Sequence, residues 1–464
     1  MEENKINAGK LFAELSVKTT YEDLDEPLKE RMRIRFADAL GVLATGYHGV
    51  GIRQTHEFLT YMGGREESTV YNFGNKLPAM NAAFLNSLQL RSNDFEPAHA
   101  GDKTGKGRAA HITGTMFPLA FALGEREKTN GKQIMTAIAV GEDLSCRLCH
   151  GMGFSVDGWF DGNGTTNVMG AALCAAKLNG LDENKTLNAL GIALNNAGGP
   201  MASTKEHSWL FKYPIANSAR NGVFSADMAK FGYEGLRDPI LGKGCFMDMF
   251  SQIPDVSLLL EDVGKVRYGE VLIKPFAGCC ATHHSVKAAL IATKGKAYRP
   301  EEVKEIRVHM LESKVPMVGG IWKPGEASQP FASFSVQATV CNAVLHGHVF
   351  PENETPEYLA SDEFQAMLTR YRQVTDLKET DPYVASVEVK LVDGTVLTAT
   401  APEVRPGNMT DSEPLSLEYI HDKFLRNMRF AGTVKEENFE KIWDKALHFD
   451  EIESMQEFID LMIG

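Results

Sequence analysis

The chain has 464 residues, and its 48 Lys and Arg against 61 Asp and Glu give a formal net charge of −13. With 43% hydrophobic and 23% charged residues, the composition is that of an ordinary globular protein of about two to four domains. Collagen, low-complexity polymers and small disulfide scaffolds are excluded. The negative charge would repel a phosphate backbone and no dense Lys/Arg run offsets it, so nucleic acid is not an expected partner.

Sequence signals for export and membrane insertion are missing. The first residues, MEENKINAGKLFAELSV, mix acids and bases, and no run of about 18 apolar residues occurs. Seven cysteines, an odd number, are scattered along the chain and argue against a disulfide framework. We therefore expect a cytoplasmic protein with reduced thiols and no membrane partner.

The first part of the chain, to about residue 260, has helical periodicity. In the segment from Glu26 to Gly46 apolar residues recur near a spacing of 3.6 and the pattern stops at a glycine. Segments near residues 170 and 190 are rich in Ala, Gly and Asn, whose small side chains let helices approach closely. Further helices are predicted at about 79–92, 113–125, 130–150, 164–179, 183–197 and 212–231.

The period changes past about residue 265. Strands are predicted in KVRYGEVLIKPF, EIRVHML and YVASVEVKLVDGTVLTAT, and Asp393-Gly394 in the last of these predicts a hairpin. Helices are predicted at about 281–296, 333–346 and 356–373, packed on an antiparallel sheet. We therefore expect a mainly α protein with an all-helical domain over 1–265, completed by 410–464, and an α+β domain over 266–409.

Two motifs suggest sites that their context does not support. The run from Gly101 to Gly107 resembles a phosphate loop, but it is one residue short and lacks the Ser or Thr that holds magnesium, so a glycine-rich loop is favoured. Cys146 and Cys149 form a CxxC without a second pair, and their helical neighbours favour two packed thiols. No GxGxxG after a strand, HExxH or GxSxG occurs. The sequence therefore predicts no nucleotide-binding site, no metal site and no serine nucleophile.

The segment 91–114 combines acids and imidazoles on a predicted loop between helices. Histidine titrates near neutral pH and a neighbouring carboxylate can set its charge, so such a loop suits proton transfer. His111 is the strongest member because it directly precedes a predicted helix; the alternative is a solvated loop with a helix-capping Asp. The chemistry-bearing residues of this segment are Asp94, Glu96, His99, Asp102, Lys103, Lys106, Arg108 and His111.

Two further segments carry cations. In 271–290 a predicted strand ends at Lys274, and Thr282-His283-His284 open a helix whose N-terminus favours an anion, which predicts a carboxylate pocket. The alternative is an exposed Lys274 and a His283 that only caps the helix. In 199–222, Lys205 and Lys212 are candidate functional residues. The alternative is that their aliphatic stems only cover apolar surface.

The chain resembles the MmgE/PrpD family of dehydratases, decarboxylases and epimerases of small carboxylic acids. NDFEPAH with the later His111 resembles the family's acidic run and histidine. Residues 164–193, 274–289 and 331–347 resemble its Gly-Thr helix pair, its Lys-Pro segment with a following Thr-His helix start, and its Phe-Ser helix. The motifs occur in the family's order.

The resemblance implies a large helical domain, a smaller α+β lid domain, a site in the cleft between them, a homodimer, and no obligatory cofactor. It also implies that Asp94 and His111 belong to an acid/base group, and that Lys274 and His283 face the substrate from the lid. As further candidate substrate-binding residues we predict His99, Asp161 and Lys212.

Three departures from the family pattern bear on the substrate. Phe160-Asp161 stands where dehydratases and decarboxylases usually carry a histidine, and Ala338 where the lid helix usually carries tyrosine. Lys212 matches the family's lysine only with a one-residue slip. If Asp161 faces the cleft, its negative charge disfavours a tricarboxylate and favours a smaller, hydroxylated or cationic ligand.

These features predict a cofactor-independent lyase of dehydratase type that abstracts a proton α to a carboxylate of a small hydroxy or carboxylic acid. His111 would move the proton, oriented by Asp94, while Lys274, His283 and Lys212 clamp the anionic substrate. Two alternatives remain: an epimerase of a dicarboxylate working through the same enediolate, and a non-catalytic relative that binds a metabolite.

Overall fold

The protein is mainly α-helical, with a smaller α+β part. The computed structural model describes residues 6–99, 111–153, 158–251, 253–265, 271–323, 325, 328–381, 383–402 and 415–463.

The N-terminal part is a stack of helices whose starts are encoded locally. Asp25 caps the second helix by accepting from the amide of Leu28, and Asn130 forms a reciprocal capping box with Gln133. The helices are α1 (Ala8–Lys18), α2 (Glu26–Thr45), α3 (Ile52–Met62), α4 (Ala79–Arg91), α5 (Thr113–Glu127), α6 (Gly131–Gly151), α7 (Gly162–Leu178), α8 (Glu183–Leu194), α9 (Ala202–Lys205), α10 (Tyr213–Lys230), α11 (Phe246–Phe250) and α12 (Val256–Leu260). The helices predicted in this part are all confirmed to within a few residues.

Helices α6, α7 and α10 touch through small residues. A Cβ added to Gly170 of α7 would lie 2.2 Å from the carbonyl oxygen of Gly141 on α6, and one added to Gly222 of α10 would lie 2.5 Å from the Cβ of Ala171. Such distances leave no space for a methyl group. The predicted close approach is therefore confirmed for α7, the small-residue helix near residue 170.

Strands are few. The two-stranded pairs are β1 (Ser68–Thr69) with β2 (Lys76–Leu77), and β3 (Ala98–His99) with β4 (Val271–Leu272). The larger sheet consists of β5 (Val303–Leu311), β6 (Tyr371–Leu377), β7 (Tyr383–Leu391) and β8 (Val396–Pro402) in the order β6-β5-β7-β8. The hairpin predicted at Asp393-Gly394 is confirmed, because β7 and β8 pair antiparallel on either side of it.

Two expectations for the α+β part are wrong. The helix predicted over 356–373 is replaced by two short helices and by β6, and the sheet is mixed, because β6 pairs parallel to β5. The partner of β6 lies more than 60 residues earlier in the chain, so the local pattern could not reveal the strand. Helices of this part are α13 (Cys280–Thr293), α14 (Val315–Val318), α15 (Gln329–Ser333), α16 (Val336–His346), α17 (Pro356–Leu359) and α18 (Asp362–Leu368).

The end of the chain returns to the N-terminal helices through α19 (Leu417–Ala431), α20 (Phe439–Leu447) and α21 (Gln456–Met462). Their apolar residues share a core with α2, α4 and α5, whereas the sheet and the helices on it form a second core. Within the first, the ammonium of Lys423 lies 2.7 Å from a carboxylate oxygen of Asp38 on α2, with both side chains buried. The exact domain boundaries remain a prediction.

Three further predictions from composition and motifs have these outcomes. None of the helices in the described ranges is long and apolar enough to cross a membrane. Cys146 and Cys149 are free, buried thiols on α6. The glycine-rich run from Gly101 to Gly107 lies outside the described residues.

Candidate active site

The site is built around the turn that follows α4. Arg91 ends this largely buried helix, and Asp94 has a φ of 45°, in the left-handed region that costs a non-glycine residue about 1–2 kcal/mol. Two hydrogen bonds hold the turn: the amide of Asp94 donates to the carbonyl of Arg91 at 3.1 Å, and the Asp94 carbonyl accepts from Lys274 Nζ at 2.6 Å. The strained turn therefore depends on a lysine 180 residues away.

One carboxylate oxygen of Asp94 is shared by two buried cations. Lys274 Nζ lies 2.5 Å from Oδ1, and Arg91 Nη1 contacts the same atom. Burial alone would raise the pKa of Asp94, but the charges of Arg91 and Lys274 lower it well below its usual range. Asp94 is therefore a permanent carboxylate at neutral pH.

His111 is oriented by Glu96. Its Nδ1 lies 2.6 Å from Glu96 Oε1 but 3.9 Å from Asp94 Oδ1, so the carboxylate that orients the ring is that of Glu96 and not, as expected, that of Asp94. Burial alone would raise the pKa of Glu96, but Arg91 and His111 lower it, so its carboxylate accepts the Nδ1 proton. Burial and Arg91 also lower the pKa of His111. The imidazole is therefore neutral, and its Nε2 lone pair is a base.

The backbone of His111 is fixed by the helix that follows Asp161. The amide of His111 donates to Asn163 Oδ1 at 3.1 Å, and Asn167 Nδ2 donates to the His111 carbonyl at 3.1 Å. As expected, His111 stands just before a helix, α5. Residues of α7, outside the loop that carries His111, thus fix the position of the His111 backbone.

Lys274 and His283 are linked through one carbonyl. Gly278 O lies 3.4 Å from Lys274 Nζ and 3.3 Å from His283 Nε2. Burial, followed by the charge of Lys274, lowers the pKa of His283 to about 3, so its imidazole is neutral. The alternative of an exposed Lys274 is wrong, because its side chain is fully buried. Lys274 donates its hydrogen bonds to Asp94 and Gly278, and so holds the Asp94 turn in place.

Lys212, not Lys205, adjoins this cluster. Lys212 is buried, and its Nζ donates to the Val50 carbonyl at 2.7 Å and to Ser92 Oγ at 3.4 Å, whereas Lys205 is exposed. Burial, followed by the charge of Arg91, lowers the pKa of Lys212 to about 7. The ammonium therefore loses its proton near neutral pH unless an anion binds to it.

Of the remaining residues singled out from the sequence, Asp161 lies in the electrostatic environment of Arg91 and His111. Asp161 caps α7 by accepting from the amide of Asn163 at 2.8 Å, and burial raises the pKa of its carboxyl group. His99 pairs through its backbone with Val271, and its side chain lies outside the described residues. Ala338 is fully buried in α16.

Two residues of the cluster were not assigned a role from the sequence. Arg91 was missed, and Glu96 was noted only as one acid of its loop. The available signal was that Arg91 is the one charged residue of the predicted helix, three residues before Asp94 and five before Glu96. Nothing in the local pattern shows that both carboxylates turn back to the guanidinium.

Asp94, Glu96 and His111 also have the geometry of a metal site, since one ligand atom of each lies within 4.8 Å of the others. Arg91 Nη1, however, contacts Asp94 Oδ1 and lies 2.8 Å from Glu96 Oε1 and 3.2 Å from His111 Nδ1. The guanidinium thus already occupies the centre of these donors. It supplies the positive charge that they attract.

The pKa of Lys212 makes anion binding depend on pH. We expect the affinity for a small dicarboxylate such as succinate, measured by calorimetry, to fall as pH rises through about 7, because Lys212 loses its charge. Lys212→Met should weaken binding at pH 6 and abolish this dependence. Lys205→Met is the matched control and should bind like the wild type; a loss with Lys205→Met instead would place the anion site elsewhere.

Comparisons with known proteins agree with this architecture. The MmgE/PrpD N-terminal domain matches residues 10–259, and the MmgE/PrpD C-terminal domain matches residues 276–448. A cis-aconitate decarboxylase of Mus musculus is 25% identical over 428 residues, covering 87% of this chain and 83% of the relative. That of Homo sapiens is 25% identical over 369 residues (76% and 73%), and one of Aspergillus terreus is 27% identical over 188 residues (39% and 38%). Because both family domains match in order over most of its length, the chain belongs to the MmgE/PrpD family.

Proposed function

We propose that this enzyme of MmgE/PrpD type removes a proton α to a carboxylate of a small hydroxy or carboxylic acid, and that His111 is the base. The family and the names of the relatives support decarboxylase or dehydratase chemistry. The single observation that carries the proposal is the short contact of 2.6 Å between His111 Nδ1 and Glu96, which leaves Nε2 as the acceptor of a ring whose Nδ1 lies 3.2 Å from the buried guanidinium of Arg91.

The proton to be removed is weakly acidic, so the negative charge that develops on the substrate must be stabilised. As His111 Nε2 takes the proton, the ring becomes positive and the carboxylate of Glu96 stabilises that charge. A general base of this kind contributes roughly 10²–10⁴ to the rate. The fixed positive charge of Arg91 favours the enediolate without having to reorganise.

Substrate binding requires donors that the protein does not use internally. Arg91 Nε is buried and has no hydrogen-bond partner among the described residues, and Lys212 has two protein acceptors for its three N–H groups. An unmet buried donor is costly, so both groups favour a ligand that carries a carboxylate. The N-terminus of α13 offers amides to the same kind of group.

Two outcomes share this carbanion: loss of hydroxide from the β-carbon, which takes up a proton and leaves as water, gives dehydration, and return of the proton to the opposite face gives epimerisation. Decarboxylation, the reaction in the relatives' names, differs because CO₂ leaves its bonding electrons on carbon, and an acid/base group then adds a proton there. We propose dehydration as the reaction of this chain. The non-catalytic alternative is disfavoured, because a binding protein would have no need of a neutral imidazole paired with a buried carboxylate.

The test is exchange of the substrate α-proton in D₂O, followed by NMR over a panel of hydroxy, dicarboxylic and tricarboxylic acids. We expect His111→Ala to lower the exchange rate roughly 10²–10⁴-fold, and Glu96→Gln to lower it less, since the imidazole stays but loses its negative partner. His309→Ala removes an imidazole that is also paired with a carboxylate, Asp376 at 2.9 Å, but in the sheet, and should exchange like the wild type. Unchanged exchange in His111→Ala would refute the assignment of the base.

Asp161 is proposed to restrict the charge of the substrate. It is buried where family relatives carry a histidine, and both Arg91 and His111 act on its pKa, so it belongs to the same electrostatic environment. We expect Asp161→His to raise the exchange rate of tricarboxylic acids relative to dicarboxylic acids. A ratio no higher than in the wild type would contradict this role.

We further propose that the protein is a cytoplasmic homodimer, as the family resemblance implies. Large exposed rings such as Trp159, Trp209 and Phe231 are the kind of surface that a second copy covers. Light scattering on the purified protein should give twice the chain mass of 51.0 kDa. A mass of one chain at micromolar concentration would exclude the dimer.

A further inference from the structure

Asn93, the residue before Asp94, forms hydrogen bonds with three separate segments of the chain. Its carbonyl accepts from the amide of Gly278 at 3.0 Å, and its Oδ1 accepts from Thr45 Oγ1 of α2 at 3.3 Å. Its Nδ2 donates to Glu354 Oε2 at 3.0 Å. Glu354 ends the 3₁₀ turn Pro351–Glu354 in the α+β part, so this hydrogen bond joins the two parts of the protein next to the strained turn.

Glu354 is buried and faces few charges. Two charged groups change its pKa: Asp94, in the turn after α4, and Lys274, in the segment before α13. The hydroxyl of Ser333 on α15 forms a hydrogen bond with its carboxyl group. Its neighbour Glu352 pairs with Arg426 of α19, and Glu357 on α17 is exposed.

The charge state of Glu354 follows from these surroundings. Lys274 is already in contact with Asp94, so little positive charge is left for a second carboxylate. Burial raises the pKa of Glu354 to about 8, and the negative charge of Asp94 adds to this effect. At neutral pH Glu354 is therefore an uncharged acid.

We propose that Glu354 is a positioning residue for the catalytic turn: through Asn93 it holds Asp94 in its left-handed conformation against Lys274 and Arg91. A residue at positive φ persists only where its surroundings over-determine it, and Asn93 transmits that constraint from the α+β part. The inference rests on the proposed function, since it concerns the geometry of the site that binds the substrate.

The buried environment of Glu354 is compatible with its uncharged form. Ionisation of Glu354 places a second buried negative charge near Asp94, so the turn loosens and activity falls as pH rises through about 8. The folded-state pKa lies above the ordinary value of 4.5, so the contribution of Glu354 to stability is complete below about pH 4.5. It is lost progressively as pH rises to about 8.

The first measurement needs no substrate. We compare the thermal unfolding midpoint of the full-length wild type and Glu354→Gln between pH 4.5 and 9. Gln keeps an acceptor for Asn93 and cannot ionise, so the midpoint of the wild type should fall relative to that of Glu354→Gln between pH 4.5 and 8. Glu357→Gln, an exposed acid three residues later, should track the wild type. Parallel curves for the wild type and Glu354→Gln would overturn the proposal.

The second measurement separates positioning from simple stability. With a saturating concentration of a substrate from the D₂O panel, Glu354→Gln should match the wild type in kcat at pH 6.5 and keep that kcat above pH 8, where the kcat of the wild type declines. Glu354→Ala should lower kcat roughly 10²-fold at every pH with a smaller change in KM, because the turn is misplaced. If Glu354→Gln is as inactive as Glu354→Ala, positioning is refuted. If the wild type exchanges no acid at all, the proposed function fails, and the unfolding curves alone decide the role of Glu354.

Discussion

The carboxylate of Asp94, shared between Lys274 and Arg91, is the interaction on which the rest of the site depends. A buried charge is tolerated only with partners in good geometry, and removing one partner of such a pair typically costs about 3–5 kcal/mol. Here the same lysine also binds the main-chain carbonyl of Asp94 and thereby stabilises a backbone conformation that aspartate adopts with difficulty. Charge and backbone geometry are thus fixed together, and His111 and Glu96 are arranged around Arg91 as a result.

This arrangement distinguishes the buried cations by their hydrogen bonds. Lys274 has three protein acceptors for its three N–H groups, whereas Arg91 Nε has no partner among the described residues and Lys212 has two acceptors. The family motif identified Lys274 as a residue of the site, but motif membership does not distinguish a residue that contacts substrate from one that holds its neighbour. Hydrogen-bond accounting makes that distinction, because every donor of a buried ammonium must be assigned.

How much could be predicted from the sequence depends on the range of the interaction. Helix α2 is defined by local signals, an Asp25 cap and a glycine at its end, and its bounds were predicted almost to the residue. The β7–β8 hairpin is likewise local, since Asp393-Gly394 specifies it. Strand β6 was missed because its partner is distant in sequence, and the Glu96–His111 contact because no spacing rule shows which of two nearby acids reaches the ring. Family resemblance supplied the candidate residues; their pairwise roles came from distances.

Lys423 of α19 links the order in which the chain is synthesised to the segment that carries Lys274. Its ammonium lies against Asp38 and donates to the main-chain carbonyl of Lys274 at 2.9 Å, over the ring of Phe95. The segment that carries Lys274 is therefore anchored by a helix translated more than 140 residues later. A nascent chain on the ribosome therefore lacks this anchor until α19 emerges, although every residue of the candidate site has been translated by then.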